Sequence, residues 1–560
     1  MKFKKLVLFL LIVVFSTLRF VSLEGDTPAY NIAGISQTDE PYYCLMGINK
    51  YLIESNRLVK ELNKVKFQFL GIHNYHITYW SLKYLGNSYI GLRTPVVLIS
   101  ILSILLLLKV FFVRNKQFIF RVFMIVFLFS EFSFAVMSRF QNPQIYAIFW
   151  MIVSLVLIHE FDISNKRFYR ILGLSVAILN VILIYPYALF FALGAAFWLI
   201  NSAIKDWTIK PILDGLYSLI FSLVIFISVL FLLDLTILDV IKDFEQFNSV
   251  RDESTTVSFL IAFKSMLTQI PLTNLFRFNL LLLLPMILMF YFGVKEYKIF
   301  HKSNLNSFAF FAFCSAFLQS AFISSYPFKK WILLFPIVVV ALFYLIEKMR
   351  EKDFLNWKII FIIFFSSLVS LYNWKVTNSD LYWSGMTSYK YTAAPLWLNY
   401  SILIVPLMVF VMFLLYGKKA YFRKLFLISV SFLCIIPTSY FLIYSSTTIL
   451  KDLLIGNREV INDRIILGNF SHAFSLYNEG IVLLNHYDIT VRGLTKKEIQ
   501  DVLMNQDPLS TIWIDKNIPN GLGLPNKYLK YGRKLYYVKT YENQSFKYSL
   551  YAEKSKNRDK

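Results

Sequence analysis

An α-helical membrane protein of many spans, closed by a small extracytoplasmic α/β tail, is the fold this sequence predicts, and three observations predict it. Of its 560 residues, 57% are hydrophobic and only 16% charged, with a mean hydropathy of +0.56. A soluble chain cannot hide that much apolar surface, so lipid must serve as solvent for most of its length. Apolar runs of about the 20 residues that a spanning helix needs recur along the chain. Basic residues punctuate those runs and fall on alternate connections, which is the charge asymmetry that sets membrane orientation.

The runs lie at 6–22, 95–113, 122–138, 145–160, 171–186, 187–204, 212–238, 278–294, 307–324, 331–347, 359–373, 398–416 and 425–444, about thirteen spans in all. The first opens with Lys2-Phe3-Lys4-Lys5 and Leu6 to Phe15, like a signal peptide. Ser16-Thr17-Leu18-Arg19-Phe20 offers no small-residue cleavage site, so it reads as an uncleaved span. Pro186 in Tyr185-Pro186-Tyr187 marks a tight turn between two short helices, because one helix over 171–204 would exceed the bilayer.

Orientation follows from the short basic loops, among them Arg114/Lys116/Arg121, Lys166/Arg167/Arg170 and Lys418/Lys419/Arg423/Lys424. They place the N-terminus in the cytoplasm of a multi-pass inner-membrane protein, and an odd number of spans puts the tail outside. The long polar segments then collect on the outer side: the first loop at 23–92, segments 239–277 and 374–397, and the tail from about 445. The chain divides at that point into a transmembrane domain, 1–444, and an extracytoplasmic domain, 445–560. In the tail, 464–467, 481–484, 511–514 and 535–538 read as strands, Thr495-Lys-Lys-Glu498 as a capping box opening a helix, and the end from Glu553 as frayed.

Several classes are excluded. The net charge of +23 is explained by topology, so no nucleic-acid partner is expected. Three cysteines give no disulfide framework, the six histidines show no metal-ligand spacing, and no phosphate-binding glycine motif appears. Asp234, near a helix end, is the one clear ionisable candidate within a span that a transporter reading would use.

Chemistry is therefore expected outside, and the first loop carries its strongest candidates. Thr38-Asp39-Glu40-Pro41-Tyr42-Tyr43 sets two adjacent carboxylates at the membrane surface, ahead of an amphipathic stretch over 42–56. Carboxylates there take a proton from an attacking hydroxyl or hold a metal; equally, Asp39 can cap the helix that follows. His73 and His76, three apart in His73-Asn74-Tyr75-His76, form a second polar cluster, in which Tyr79 and Trp80 suit an interfacial belt. Arg139, Arg277, Lys329 and Lys330 stand at the outer ends of spans, where cations reach headgroups or, as a set, neutralise a donor phosphate.

The order of these features resembles the GT-C class of integral-membrane glycosyltransferases. The acidic pair after the first span, Trp80 to Gly86, Ile90-Gly-Leu-Arg93-Thr-Pro95, Ser138-Arg139, and Lys329-Lys330-Trp331 to Pro336 carry the resemblance. It is to the protein O-mannosyltransferases, the aminoarabinose transferase of lipid A, and the RgtA/B/C/D-like group. The resemblance implies a polyprenyl-phosphate-linked sugar donor, transfer to an envelope glycan, lipid or protein, and inversion at the anomeric carbon. It assigns Asp39, with Glu40 beside it, as the base or its organiser. Lys329 and Lys330 fall to the donor phosphate, with Tyr42, His73, His76, Arg139 and Arg277 as further substrate-binding candidates. No metal ligand is assigned, and metal dependence stays open. Where many relatives carry a second acid, this chain has Asn142-Pro143-Gln144, and His73-Asn74-Tyr75-His76 stands where some have Glu-Lys-Pro-Pro. An O-antigen-type polymerase or ligase, and a flippase or transporter, are the alternatives.

Overall fold

The computed structural model describes residues 2–21, 72–233, 235–238, 282–295, 304–322, 332–349 and 419–444. It also describes the tail segments 465–467, 481–482, 511–516, 535–543 and 546–553, and isolated positions between these ranges. Asp39, Glu40, Tyr42, Asp234, Arg277, Lys329, Lys330 and the capping box at 495–498 lie outside the described residues.

Helix α1 covers Lys2–Leu18 and α2 covers Ile72–Leu85. Between α2 and the next helix the chain turns at Gly86, whose φ of +87° is in the region that favours glycine. Ser88 then caps α3 (Tyr89–Arg114), its side chain accepting from the Gly91 N–H at 3.1 Å. The apolar run 122–138 does not form one helix. It breaks at Glu131 into α4 (Phe118–Ser130) and the short α5 (Phe132–Met137). Glu131 leaves the helical region (φ −59°, ψ 121°), and its Oε2 accepts the Phe134 N–H at 2.7 Å, capping α5.

Asn142 opens α6 (Pro143–Ser164): its Oδ1 accepts from the Ile145 N–H, and Pro143 takes the first turn, where a missing N–H costs nothing. Next comes α7 (Arg167–Leu179), which loosens into a π turn at Asn180–Ile184. The chain extends at Tyr185 (φ −157°) and re-enters through a 3-10 turn, Pro186–Ala188, into α8 (Leu189–Asp206). The segment 171–204 is thus two helices with a turn at Pro186. Then follow α9 (Lys210–Leu232), α10 (Leu283–Lys295), α11 (Asn304–Phe322), α12 (Phe335–Lys348) and α13 (Lys419–Tyr444).

Among the described residues, five segments are long and apolar enough to cross a bilayer: Tyr89–Arg114, Pro143–Ser164, Arg167–Ile184, Pro186–Lys205 and Lys210–Leu232. The chain is an integral membrane protein. Its centre is α12, on which every residue from Phe335 to Ile346 is buried, as expected of a helix apolar on all sides. Aromatic stacking joins it to its neighbours: Phe335 lies on Phe134 at 4.3 Å and Phe343 on Phe111 at 4.7 Å. Packing between α8 and α11 is closer still. A Cβ at Gly194 would come within 2.3 Å of Ala312 Cα, so backbones touch where a side chain would otherwise stand.

Helix α9 shows the opposite surface. Leu216, Leu219, Leu223 and Val224 are exposed, while Asp214, Ser218 and Ser222, at spacing four, are buried against α7. Ser218 donates to Ile171 O at 3.0 Å, Ser175 to Ser218 O at 3.2 Å and Ser222 to Ser175 O at 3.2 Å. Without a hydrophobic drive between helices in lipid, such small polar contacts hold the pair together. Asp214 ends this stripe by taking both Arg167 and Arg170, whose Nε atoms donate at 2.9 and 2.7 Å.

The described tail contains a five-stranded sheet in the order β2-β1-β3-β5-β4. Strands β1 (Ile465–Leu467), β2 (Ile481–Val482) and β3 (Thr511–Lys516) are parallel where they pair. β4 (Leu535–Asn543) and β5 (Phe546–Glu553) form an antiparallel hairpin that joins β3 through β5. Tyr477 ties the tail to the helices. Its N–H donates to Asn87 O (3.2 Å), its hydroxyl donates to Glu24 (2.9 Å), and the same oxygen accepts the Tyr89 N–H (3.1 Å).

Candidate functional site

The ends of α1, α3, α4 and α5 that face the first loop bring together charged side chains that lie far apart in the sequence. Arg19, just past α1, is 5% exposed, Arg93 on α3 is 3%, Glu131 is 4% and Arg139, in the turn after α5, is 4%. Arg19 donates through Nη2 to Phe129 O (3.0 Å) at the end of α4, and through Nη1 to Ser138 Oγ. A cation on terminal carbonyls is favoured by both hydrogen bonding and the helix dipole. Arg93 donates to Leu23 O at 2.8 Å and lies over the rings of Tyr89 (4.2 Å) and Phe140 (5.0 Å).

Burial, and after it the positive charges of Arg93 and Arg19, lower the Arg139 pKa to about 9. Arg139 thus feels both of the other guanidinia, and among the described residues Glu131 is the acid beside Arg19. Such a grouping attracts an anion, and the planar guanidinium fork suits phosphate oxygens.

The first loop reaches this turn. Cys44, Gly47, Ile48 and Lys50–Leu52 are helical, and Cys44, Ile48 and Leu52 form a buried stripe at spacing four. Cys44 Sγ lies 3.8 Å from Gln141 O, two residues beyond Arg139. Gly47 packs against α2, where a Cβ would meet Tyr75 O at 2.7 Å. Gln141 Nε2 in turn donates to Tyr146 Oη at 2.7 Å, and the Tyr146 ring stands edge-on to His73 at 5.9 Å. His73 and Gln141 are therefore linked through Tyr146.

His73 accepts the Trp150 Nε1–H on its Nε2 at 3.1 Å. Burial first, then His76, lowers its pKa to about 4, so at neutral pH His73 serves as an uncharged acceptor. His76 is half-buried on Tyr75 (4.9 Å), and burial and then Lys50 lower its pKa. Lys50 and Lys83 lie over α2 aromatics, Lys50 at 5.0 Å and Lys83 at 5.4 Å from the Tyr79 ring, and Trp80 stacks on Tyr84 at 5.8 Å.

Of the residues expected from sequence, Arg139, His73 and His76 are described: the two histidines share α2, and Arg139 lies in the turn after α5. The place expected for a second acid is structural: Asn142 caps α6 and donates to Met137 O (3.0 Å) and Phe140 O (2.7 Å), while Gln144 donates to Tyr185 Oη (3.1 Å). Sequence reading missed Glu131 and Asp214, the buried acids among the described residues, having singled out Asp234. The signal for Glu131 was present as a charge inside an apolar run. Among the described residues, no three His, Cys, Asp or Glu side chains converge to hold a metal ion.

No protein-family profile and no curated protein matches the chain. Solved structures do. ArnT from Cupriavidus metallidurans in the apo state matches at a TM-score of 0.61 with 11% identity, over 97% of each chain. The same protein bound to undecaprenyl phosphate matches at 0.58 with 12% identity, again over 97% of each chain. The chain has the fold of ArnT, the lipid A aminoarabinose transferase, a fold of the GT-C class.

Proposed function

We propose that the protein is a glycosyltransferase that moves a sugar from a polyprenyl-phosphate-linked donor to a cell-envelope acceptor (glycan, lipid or protein) on the outer face of the cytoplasmic membrane. The likeness to ArnT over nearly the whole chain, including its complex with undecaprenyl phosphate, carries this reading. The domain division at 444/445, the thirteen spans and the cytoplasmic N-terminus belong to the same proposal. Tyr477 supports the placing of the tail, because its contacts with Glu24, Asn87 and Tyr89 put it on the side of the membrane where the first loop begins and ends.

In this reading Asp39, with Glu40 beside it, takes the proton of the acceptor hydroxyl as that oxygen attacks the anomeric carbon with inversion. Asp39 is five residues from Cys44, so even a fully extended chain carries it no more than about 18 Å from the Gln141 contact. The polyprenyl phosphate leaves as an anion, and Arg139, Arg277, Lys329 and Lys330 stabilise the charge that develops on it. His73, neutral and bonded to Trp150, orients rather than neutralises, alongside Tyr42 and His76.

Purified protein incubated with a panel of polyprenyl-phosphate sugars and envelope acceptors is expected to release polyprenyl phosphate. Asp39→Asn is expected to abolish release while the protein stays inserted and folded. Full activity of that variant would remove Asp39 from its role, and turnover with none of the donors would count against transfer itself.

A further inference from the structure

Tyr477, a residue of the tail, touches both ends of the first loop. Its hydroxyl donates to Glu24 Oε1 (2.9 Å), where the loop begins, and accepts the Tyr89 N–H (3.1 Å), where the loop returns into α3. Its own N–H donates to Asn87 O (3.2 Å), and its ring stands edge-on to that of Tyr89 at 5.7 Å. The Tyr89 N–H is one of the donors that a helix start leaves without an intrahelical partner, so the hydroxyl meets a need built into α3. Leu476 beside it is fully buried. Tyr477 itself has a φ of +61°, in the left-handed region where a side chain persists only when its surroundings fix the backbone.

The same two stems of the loop seat Arg93. Its guanidinium lies over the Tyr89 ring at 4.2 Å and donates to Leu23 O at 2.8 Å, the carbonyl of the peptide that runs into Glu24. Tyr477 therefore grips one residue that holds this guanidinium and the neighbour of the other. Arg93 in turn is close enough to Arg139 for its charge to act there. We propose that Tyr477 is a positioning residue: by clasping Glu24 to Tyr89 it draws the two stems together around Arg93, so that docking of the tail sets the place of one guanidinium in the arginine cluster. With the clasp undone, Leu23 and Tyr89 are free to part and Arg93 loses its fixed seat. The consequence for catalysis rests on the glycosyl-transfer reading, in which cations around Arg139 meet the leaving phosphate; the clasp itself does not.

Labelling of arginines with phenylglyoxal in the full-length protein in detergent, read residue by residue by mass spectrometry, tests the clasp without any substrate. Tyr477→Phe keeps the ring and removes the hydroxyl. It should raise the labelling rate of Arg93 about fivefold or more, the loss of one or two hydrogen bonds. Arg170, held by Asp214 inside the helical bundle, should label as in wild type. Glu24→Gln keeps an acceptor for the hydroxyl and should behave like wild type, whereas Glu24→Ala should speed Arg93 labelling. The double variant Tyr477→Phe/Glu24→Ala should label no faster than Tyr477→Phe, since both changes undo one clasp. In transfer, Tyr477→Phe should raise the KM for the polyprenyl-phosphate sugar about fivefold and change kcat less, whereas a mere loss of folded protein lowers kcat at constant KM. An unchanged Arg93 rate in Tyr477→Phe, or a rise that Arg170 shares, would overturn the clasp. Faster Arg93 labelling with an unchanged KM would overturn the positioning role. Turnover with none of the donors would count against glycosyl transfer and leave the labelling to decide the clasp.

Discussion

Asp214 is where a single substitution should do the most damage to the helical bundle for the least change in size. Its carboxylate is fully buried and divides its two oxygens between two guanidinia, Oδ1 to Arg167 and Oδ2 to Arg170. The two partners are not equivalent, because the Arg167 side chain is 49% exposed and that of Arg170 only 10%. Removing one member of a buried pair leaves the other charged in a poor solvent and costs about 3–5 kcal/mol, whereas a pair open to water contributes roughly 0–1 kcal/mol. Asp214→Asn should therefore cost about 3–5 kcal/mol, Arg170→Gln nearly as much, and Arg167→Gln clearly less than either. The double variant Asp214→Asn/Arg170→Gln should be milder than the sum of its parts, since neither charge is then stranded. Thermal unfolding in detergent, followed by a thiol-reactive dye, reads this ranking, because Cys44 and Cys434 are buried in the folded chain. Equal losses for Arg167→Gln and Arg170→Gln, or none for Asp214→Asn, would refute the reasoning.

Other expectations follow from the same physics. Gly194→Val drives a branched side chain into the Ala312 backbone, and the loss should reach or exceed the ~1–3 kcal/mol of an ordinary overpacking change, read as a lower midpoint in the same dye assay. Glu131→Ala removes the α5 cap and should cost about 1–3 kcal/mol, while Glu131→Gln keeps an acceptor and should cost less; midpoints of the two variants check the order. His73 has a folded pKa of about 4 against an ordinary 6.5, so the unfolded chain binds the extra proton between those values. Its contribution to stability is complete above pH 6.5 and is lost as the pH falls towards 4, and His73→Gln should flatten the midpoint-versus-pH curve across that window.

How far the sequence foretold these features depends on the distance over which each is encoded. The spans at 95–113 and 145–160 fall within α3 and α6, and 187–204 covers most of the 3-10 turn and of α8, because length and apolarity are local properties. Strands β1 to β4 were likewise readable from short apolar runs. β5 was not proposed, although Phe546, Tyr548 and Leu550 alternate with Lys547, Ser549 and Tyr551. The break at Glu131 was hidden by its neighbours: Phe129, Phe132 and Phe134 keep the local average apolar, and only the capping bond reveals the new helix start. The meeting of Arg19, Arg93 and Arg139 could not be read at all, since it depends on how α1, α3 and α5 pack.

The interruption at Glu131 also bears on how the protein is made. A helix that stops at membrane depth exposes its last carbonyls to a solvent that cannot bond them. Here Phe129 O is met by Arg19, which leaves the ribosome early, but Ser130 O is met by Thr438, 308 residues later, at 2.8 Å. During synthesis that carbonyl must wait, bonded to water or to a transient partner, until the last described helix inserts. The final seal on the broken helix is thus a late event in biogenesis. Chains arrested before residue 438 should remain wetter there and more open to proteolysis than the same helices in the finished protein.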